Sequence, residues 1–135
     1  MQGKKKYEEK LFTSIQLSRR VPANNFYRKL KRNIDFDFIY KLTESLYGKS
    51  GKESLDPVVF FKLCLIRKRE NISSDRKLIS ICRIRLDLLY FLGYNLDEKL
   101  PAPSTISHTR RNFPKELYQA ICNRIEESIQ ETTLK

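Results

Sequence analysis

The chain of 135 residues has four glycines, no tryptophan, one histidine and three cysteines. Hardly any stretch alternates apolar and polar residues, so strands have little support and an all-α fold is expected. No apolar run approaches the roughly 18 residues of a membrane span. The opening MQGKKKYEEKLF lacks the apolar centre of a secretory signal, so a cytoplasmic location with no membrane partner is expected. Cys64, Cys82 and Cys122 are odd in number, far apart and set in apolar stretches (KLCLI, ISICRI, QAICNRI), which reads as reduced core thiols. Zinc asks for closely spaced ligand pairs, and a single distant histidine does not complete a set. No metal and no cofactor is expected.

Positive charge is abundant. The formal net charge is +11, while 40% of residues are hydrophobic, too many for a disordered polycation, so the chain reads as a folded basic domain. The excess is segmental. Residues 1–34 hold ten Lys or Arg against two Glu, and residues 62–85 hold eight against two acids; the remaining segments are slightly acidic. Clustered cations point to a polyanion, because each phosphate neutralised by Lys or Arg releases condensed counterions.

Helix signals follow one another along the chain. Residues 1–20 read as a basic, weakly structured arm carrying Arg19 and Arg20, residues 21–131 as one helical domain, and 132–135 as a tail. Asn24 or Asn25 caps a short helix through Phe26 and Leu30. Asp35 reads as the N-cap of a helix whose face runs Ile39, Leu42, Leu46, with Ile34 as a staple and Gly48 as a stop. After the polar loop Lys49 to Ser54, Asp56-Pro57 opens a helix apolar nearly all round, Val58 to Ile66, which belongs at the core. Ser73 and Ser74 offer a capping hydroxyl for a helix burying Leu78, Ile81 and Cys82, with Arg76, Lys77, Arg83 and Arg85 around the rest. Leu86 to Leu92 is another short helix, closed by Gly93. Pro114 serves as the first residue of a final helix that buries Leu117, Tyr118, Ile121, Cys122, Ile125 and Ile129. The sum is a compact bundle of about five to seven short helices.

PAPSTISHTRRNF, residues 101–113, carries the candidate site. Pro103 disfavours helix at Ala102, and Ser104 reads as the N-cap of a helix from about Thr105 to Phe113. At about 100° per residue, Ile106 and Phe113 share the buried face, Arg110 flanks it, and Ser104, His108, Arg111 and Asn112 point away. A short helix with an exposed basic and polar face, preceded by other short helices, is what a helix-turn-helix-like unit places in a DNA groove. Helix amides and the hydroxyls of Ser104 and Thr105 suit phosphate oxygens, while Arg111 and Asn112 suit base edges. Arg76, Lys77, Arg83, Arg19 and Arg20 are the supporting phosphate contacts.

The same residues carry a family likeness. The runs S-G-K-E-S-L-D-P-V-V-F-F-K, N-I-S-S-D-R-K-L, L-L-Y-F-L-G-Y-N-L-D-E and P-A-P-S-T-I-S-x-x-R-R-N-F span residues 50–113. With V-P-A-N-N-F-Y-R-K-L and I-D-F-D-F-I-Y upstream, they resemble the N-terminal domain of bacterial insertion-sequence transposases of the DDE class. The likeness covers roughly residues 11–118. It departs where family members often read P-D-H-S-T and this chain reads Pro101-Ala102-Pro103-Ser104-Thr105. The resemblance implies binding of double-stranded DNA at transposon terminal inverted repeats, while the apolar stripe of the last helix is expected to pack on the domain or on a second copy in a homodimer. In the family, strand transfer belongs to three metal-binding carboxylates on a downstream ribonuclease-H-like domain. This chain offers no such domain after Phe113, so the expectation is a DNA-binding region of a truncated transposase, not an enzyme as it stands. The alternatives are a helical interaction or oligomerisation domain and a standalone DNA-binding regulator.

Overall fold

The computed structural model describes residues 2–47 and 54–133. In chain order the helices are α1 (Leu17–Arg20), α2 (Phe26–Asn33), α3 (Phe38–Thr43) running into a 3₁₀ turn (Glu44–Leu46), α4 (Pro57–Arg69), α5 (Asp75–Ile84), α6 (Leu86–Leu92), α7 (Pro103–Asn112) and α8 (Lys115–Thr133). The described residues contain no strand. Among the described residues the all-helical bundle has eight α-helices, α1 at the end of the basic arm among them.

α4 is the axis of the fold, and the sequence around it explains why. Asp56 Oδ1 accepts hydrogen bonds from the Val58 and Val59 amides at 2.8 and 3.4 Å, and Pro57 follows as the first helical residue. Pro57, Val58, Phe60, Phe61, Leu63, Cys64, Leu65 and Ile66 are all buried. A helix buried on so many sides needs neighbours all round; α3, α5 and α6 pack directly on it. α8 lies against it through Tyr118, whose ring centroid is 5.5 Å from that of Phe61. Farther along, Glu126 pairs with Lys68 at 3.6 Å, and the Arg124 guanidinium sits 4.0 Å above the Phe38 ring. Cys64 and Cys82 are buried and Cys122 partly so, all as free thiols.

α2 and α6 pack side by side, with Tyr27 and Phe91 rings 5.4 Å apart. Asn25 caps α2 through the Arg28 amide and donates to Asp87 at 3.1 Å, tying the start of α2 to α6. Gly93 ends α6 at φ 85°, a left-handed conformation that favours glycine. Lys62 and Lys31 complete that end by donating to the Phe91 and Tyr90 carbonyls at 2.9 and 2.6 Å. Burial lowers the pKa of both amines, and with Lys31 nearby that of Lys62 falls to about 8. These two cations are therefore structural.

Several sequence expectations require correction. Leu17 is buried, α1 packs on α6, and Arg28 donates to the Ser18 and Val21 carbonyls at 2.6 and 2.7 Å. Order thus reaches back into residues 17–20, which a basic composition alone did not reveal. Asp35 does not cap α3 directly: its Oδ1 accepts from the Asp37 amide at 2.9 Å, closing a turn, and the helix begins at Phe38. With that start the buried face is Ile39 and Thr43, while Leu42 and Leu46 are exposed. Thr43 is accommodated by donating its hydroxyl to the Ile39 carbonyl at 2.7 Å. Pro114 stands just outside α8, where its carbonyl accepts from the Tyr118 amide. The Gly48 stop and most of the loop after it lie outside the described residues.

Candidate nucleic-acid interface

α7 starts two residues earlier than its serine suggests. Ala102 is the N-cap and Pro103 the first helical residue; the Thr105 and Ile106 amides donate to the Ala102 carbonyl, and no side chain caps the end. Proline presets its own φ and holds Ala102 extended, so the start is specified without a hydroxyl. Ser104 therefore sits inside the first turn with its side chain exposed. Ser104→Ala is expected to change the unfolding free energy by less than about 0.5 kcal/mol, measured by urea denaturation. A loss of the roughly 1 kcal/mol typical of a lost N-cap would restore the capping role.

The helical phase expected for the rest holds. Ile106 is fully buried and Phe113, just past the helix, is buried among Phe60, Phe61 and Tyr118. Ser104, Thr105, His108, Arg111 and Asn112 are all exposed. At about 100° per residue these five occupy one outward arc. Within it the Asn112 amide nitrogen lies 3.0 and 3.3 Å from the two ring nitrogens of His108.

α5 packs on α7 and shows a similar arc. Ser74 Oγ caps it by accepting from the Lys77 amide at 3.2 Å. Leu78, Ile79 and Cys82 are buried, whereas Arg76, Lys77, Ser80, Arg83 and Ile84 are exposed. Ile81 is only partly buried, Ile79 taking the inward place instead.

The basic segment 62–85 separates into structural and available charge. Lys62 caps α6, Lys68 pairs with Glu126, and the Arg69 guanidinium stacks 4.6 Å over Phe26. Arg85 joins Asp87 through two hydrogen bonds of 3.0 and 2.7 Å and also binds Glu70; those partners raise its pKa. Arg67 pairs with Asp75. Arg76, Lys77 and Arg83 remain, exposed and outside every ion pair found among the described residues. Arg19 and Arg20 are exposed too, on α1, which packs on α6.

The residue that joins the two helices is Asp75, whose place in the first turn of α5 would by itself suit the helix dipole. Only 7% exposed, it accepts from Arg67 at 3.0 Å on Oδ1, and from Arg110 and Ser107 at 2.6 Å each on Oδ2. Burial alone would push its pKa up; the hydrogen bonds from Arg110 and Ser107 and the charges of both arginines outweigh that and hold it below the usual range. Arg67 also donates to the Ile72 and Ser73 carbonyls, fixing the turn between α4 and α5. Arg110 reaches on to Cys64 Sγ at 3.8 Å. A sequence signal for this hub existed: Asp75 shares a helical stripe with Leu78 and Cys82, and Arg110 one with Ile106, so opposite charges were both directed inward.

No group of His, Cys, Asp and Glu suited to a metal ion occurs among the described residues. Of these residues, no helix is long and apolar enough to cross a membrane. What the geometry defines is an all-helical domain that neutralises its inward cations and displays polar, cationic arcs on two packed helices. Residues 15–112 match the family model described as Transposase domain (DUF772), and the chain belongs to that family. No curated protein and no solved structure matches it.

Proposed function

We propose that this domain binds double-stranded DNA at the terminal inverted repeats of a transposon, with α7 as the reading helix of a helix-turn-helix-like unit. The observation that carries this reading is the single outward arc of Ser104, Thr105, His108, Arg111 and Asn112, set beside the unpaired cations of α5. Arg111 and Asn112 have the donors and acceptors that discriminate bases in the major groove, and the hydroxyls suit phosphates. Arg76, Lys77 and Arg83, with Arg19, Arg20 and the lysine-rich arm, supply sequence-independent attraction. Asp35, Asp56 and Asp75 are each engaged in a turn, a cap or the hub, and we assign catalysis to none of them.

The competing reading, an interaction domain whose last helix pairs copies, draws less support. The outward positions of α8 include Glu116, Gln119, Asn123 and Glu127, a polar face that lacks the apolar stripe of a helix-pairing seam. Gel shifts with an inverted-repeat duplex and a scrambled duplex across a salt series separate the two. About six phosphate contacts give a log-log salt slope near −5. Absence of binding, or binding insensitive to salt, would reject DNA recognition.

A further inference from the structure

We infer that Asp75 is the positioning residue of the DNA-reading helix: it fixes the angle at which α7 presents its outward arc and withholds two arginines from the nucleic acid. This rests on the DNA-binding reading and adds to it a residue that need not touch DNA.

Three observations carry it. First, Asp75 is the first residue of α5, yet both its oxygens are committed to other elements: Oδ1 to Arg67 of α4, Oδ2 to Ser107 and Arg110 of α7. Second, Ser107 and Arg110 are one turn apart on α7, so a single carboxylate oxygen grips that helix at two points and restrains its rotation about its own axis. Ser107 stands between Ile106 and His108 in the chain, so turning α7 about its axis to release the hydroxyl would re-aim, as a unit, the arc that His108 and Arg111 share. Third, Arg67 and Arg110 each remain a little over a quarter exposed. Asp75 is the only acidic group paired with either guanidinium among the described residues, so beside the carbonyl and thiol contacts it is the charge that keeps them turned inward, where they add nothing to the outward field.

Neutralising the hub should therefore have opposite effects on two kinds of binding. Asp75→Asn keeps the shape of the side chain but removes the charge that holds both arginines. α7 is then less firmly registered, and two cations become available to phosphates. Discrimination between the inverted repeat and a scrambled duplex should fall about tenfold, the scale of one mismatched base contact. Affinity for the scrambled duplex should hold or rise, and its log-log salt slope should steepen by about one to two, since each added phosphate contact contributes about 0.9.

The test measures both affinities across a salt series for the full chain and for Asp75→Asn, with far-ultraviolet circular dichroism to verify folding. Preserved discrimination in the folded variant, or parallel loss of both affinities with an unchanged slope, would overturn the proposal. If Asp75→Asn does not fold, Ser107→Ala decides, because it removes one grip on α7 and leaves both ion pairs. Reduced discrimination at unchanged scrambled-duplex affinity supports the positioning role, and unchanged discrimination overturns it. Failure of the unmodified chain to discriminate between the duplexes would instead remove the DNA-binding reading itself.

Discussion

Arg110→Ala is expected to destabilise the domain by about 2–3 kcal/mol, less than the roughly 3–5 kcal/mol of a wholly uncompensated buried charge because Arg67 still pairs with Asp75. The substitution removes a 2.6 Å charge-assisted bond from a carboxylate that is nearly sealed from water. It also leaves the thiol of Cys64 without its guanidinium neighbour. The pH dependence gives an independent check. Asp75 has a folded pKa below its ordinary value of 3.8, so its contribution is complete above that value and is lost as pH falls through the folded value. The stability gap between the unmodified chain and Arg110→Ala should thus be widest near neutrality and shrink below about pH 4. Urea denaturation of both proteins at neutral and acid pH measures it; a gap independent of pH would assign Arg110 a packing role alone.

Phe61→Ala should cost more, about 3–5 kcal/mol for a buried aromatic cut to a methyl group. The Phe61 ring is 1% exposed, with centroids 5.2 Å from Phe60, 5.2 Å from Phe113 and 5.5 Å from Tyr118. Those neighbours belong to α4, to the residue that ends α7, and to α8, so one cavity loosens three elements together. A domain of this size has only about 5–15 kcal/mol in total, and the variant should show a large drop in urea midpoint with weakened near-ultraviolet tyrosine signals. A loss under about 1.5 kcal/mol, typical of a volume-conserving core swap, would show that the cluster is not the junction described.

The parts of the fold legible in the sequence are those decided within a few residues. Asn25, Asp56-Pro57, Ser74 and Gly93 act where local cap chemistry places them, because an N-cap or a left-handed glycine needs only its own turn. Asp35 and Ser104 failed for an equally local reason. In each case a competing start was available: the turn through Asp37 in one, Pro103 behind an extended Ala102 in the other. α1 was not legible, since a four-residue helix is held by partners distant in the chain, Arg28 and the surface of α6.

The outward arc of α7 was legible because phase around Ile106 and Phe113 sorts its neighbours without any tertiary knowledge. That reasoning also separated Arg110 from Arg111, and the two are divided as expected, one in the hub and one exposed. Asp75 was missed because a carboxylate in a first turn already has an adequate explanation in the helix dipole. Its stripe with Leu78 and Cys82 was the stronger signal, since a charge on a buried face has to find a partner.

The central claim, that the exposed arc of α7 reads DNA sequence, is tested most directly by the affinity of Arg111→Ala for the inverted-repeat duplex relative to the scrambled one. The expected loss is about 1–3 kcal/mol on the repeat, with the scrambled affinity reduced by no more than one phosphate contact and the urea midpoint unchanged. Arg111→Ala binding the repeat as tightly as the unmodified chain would contradict the account.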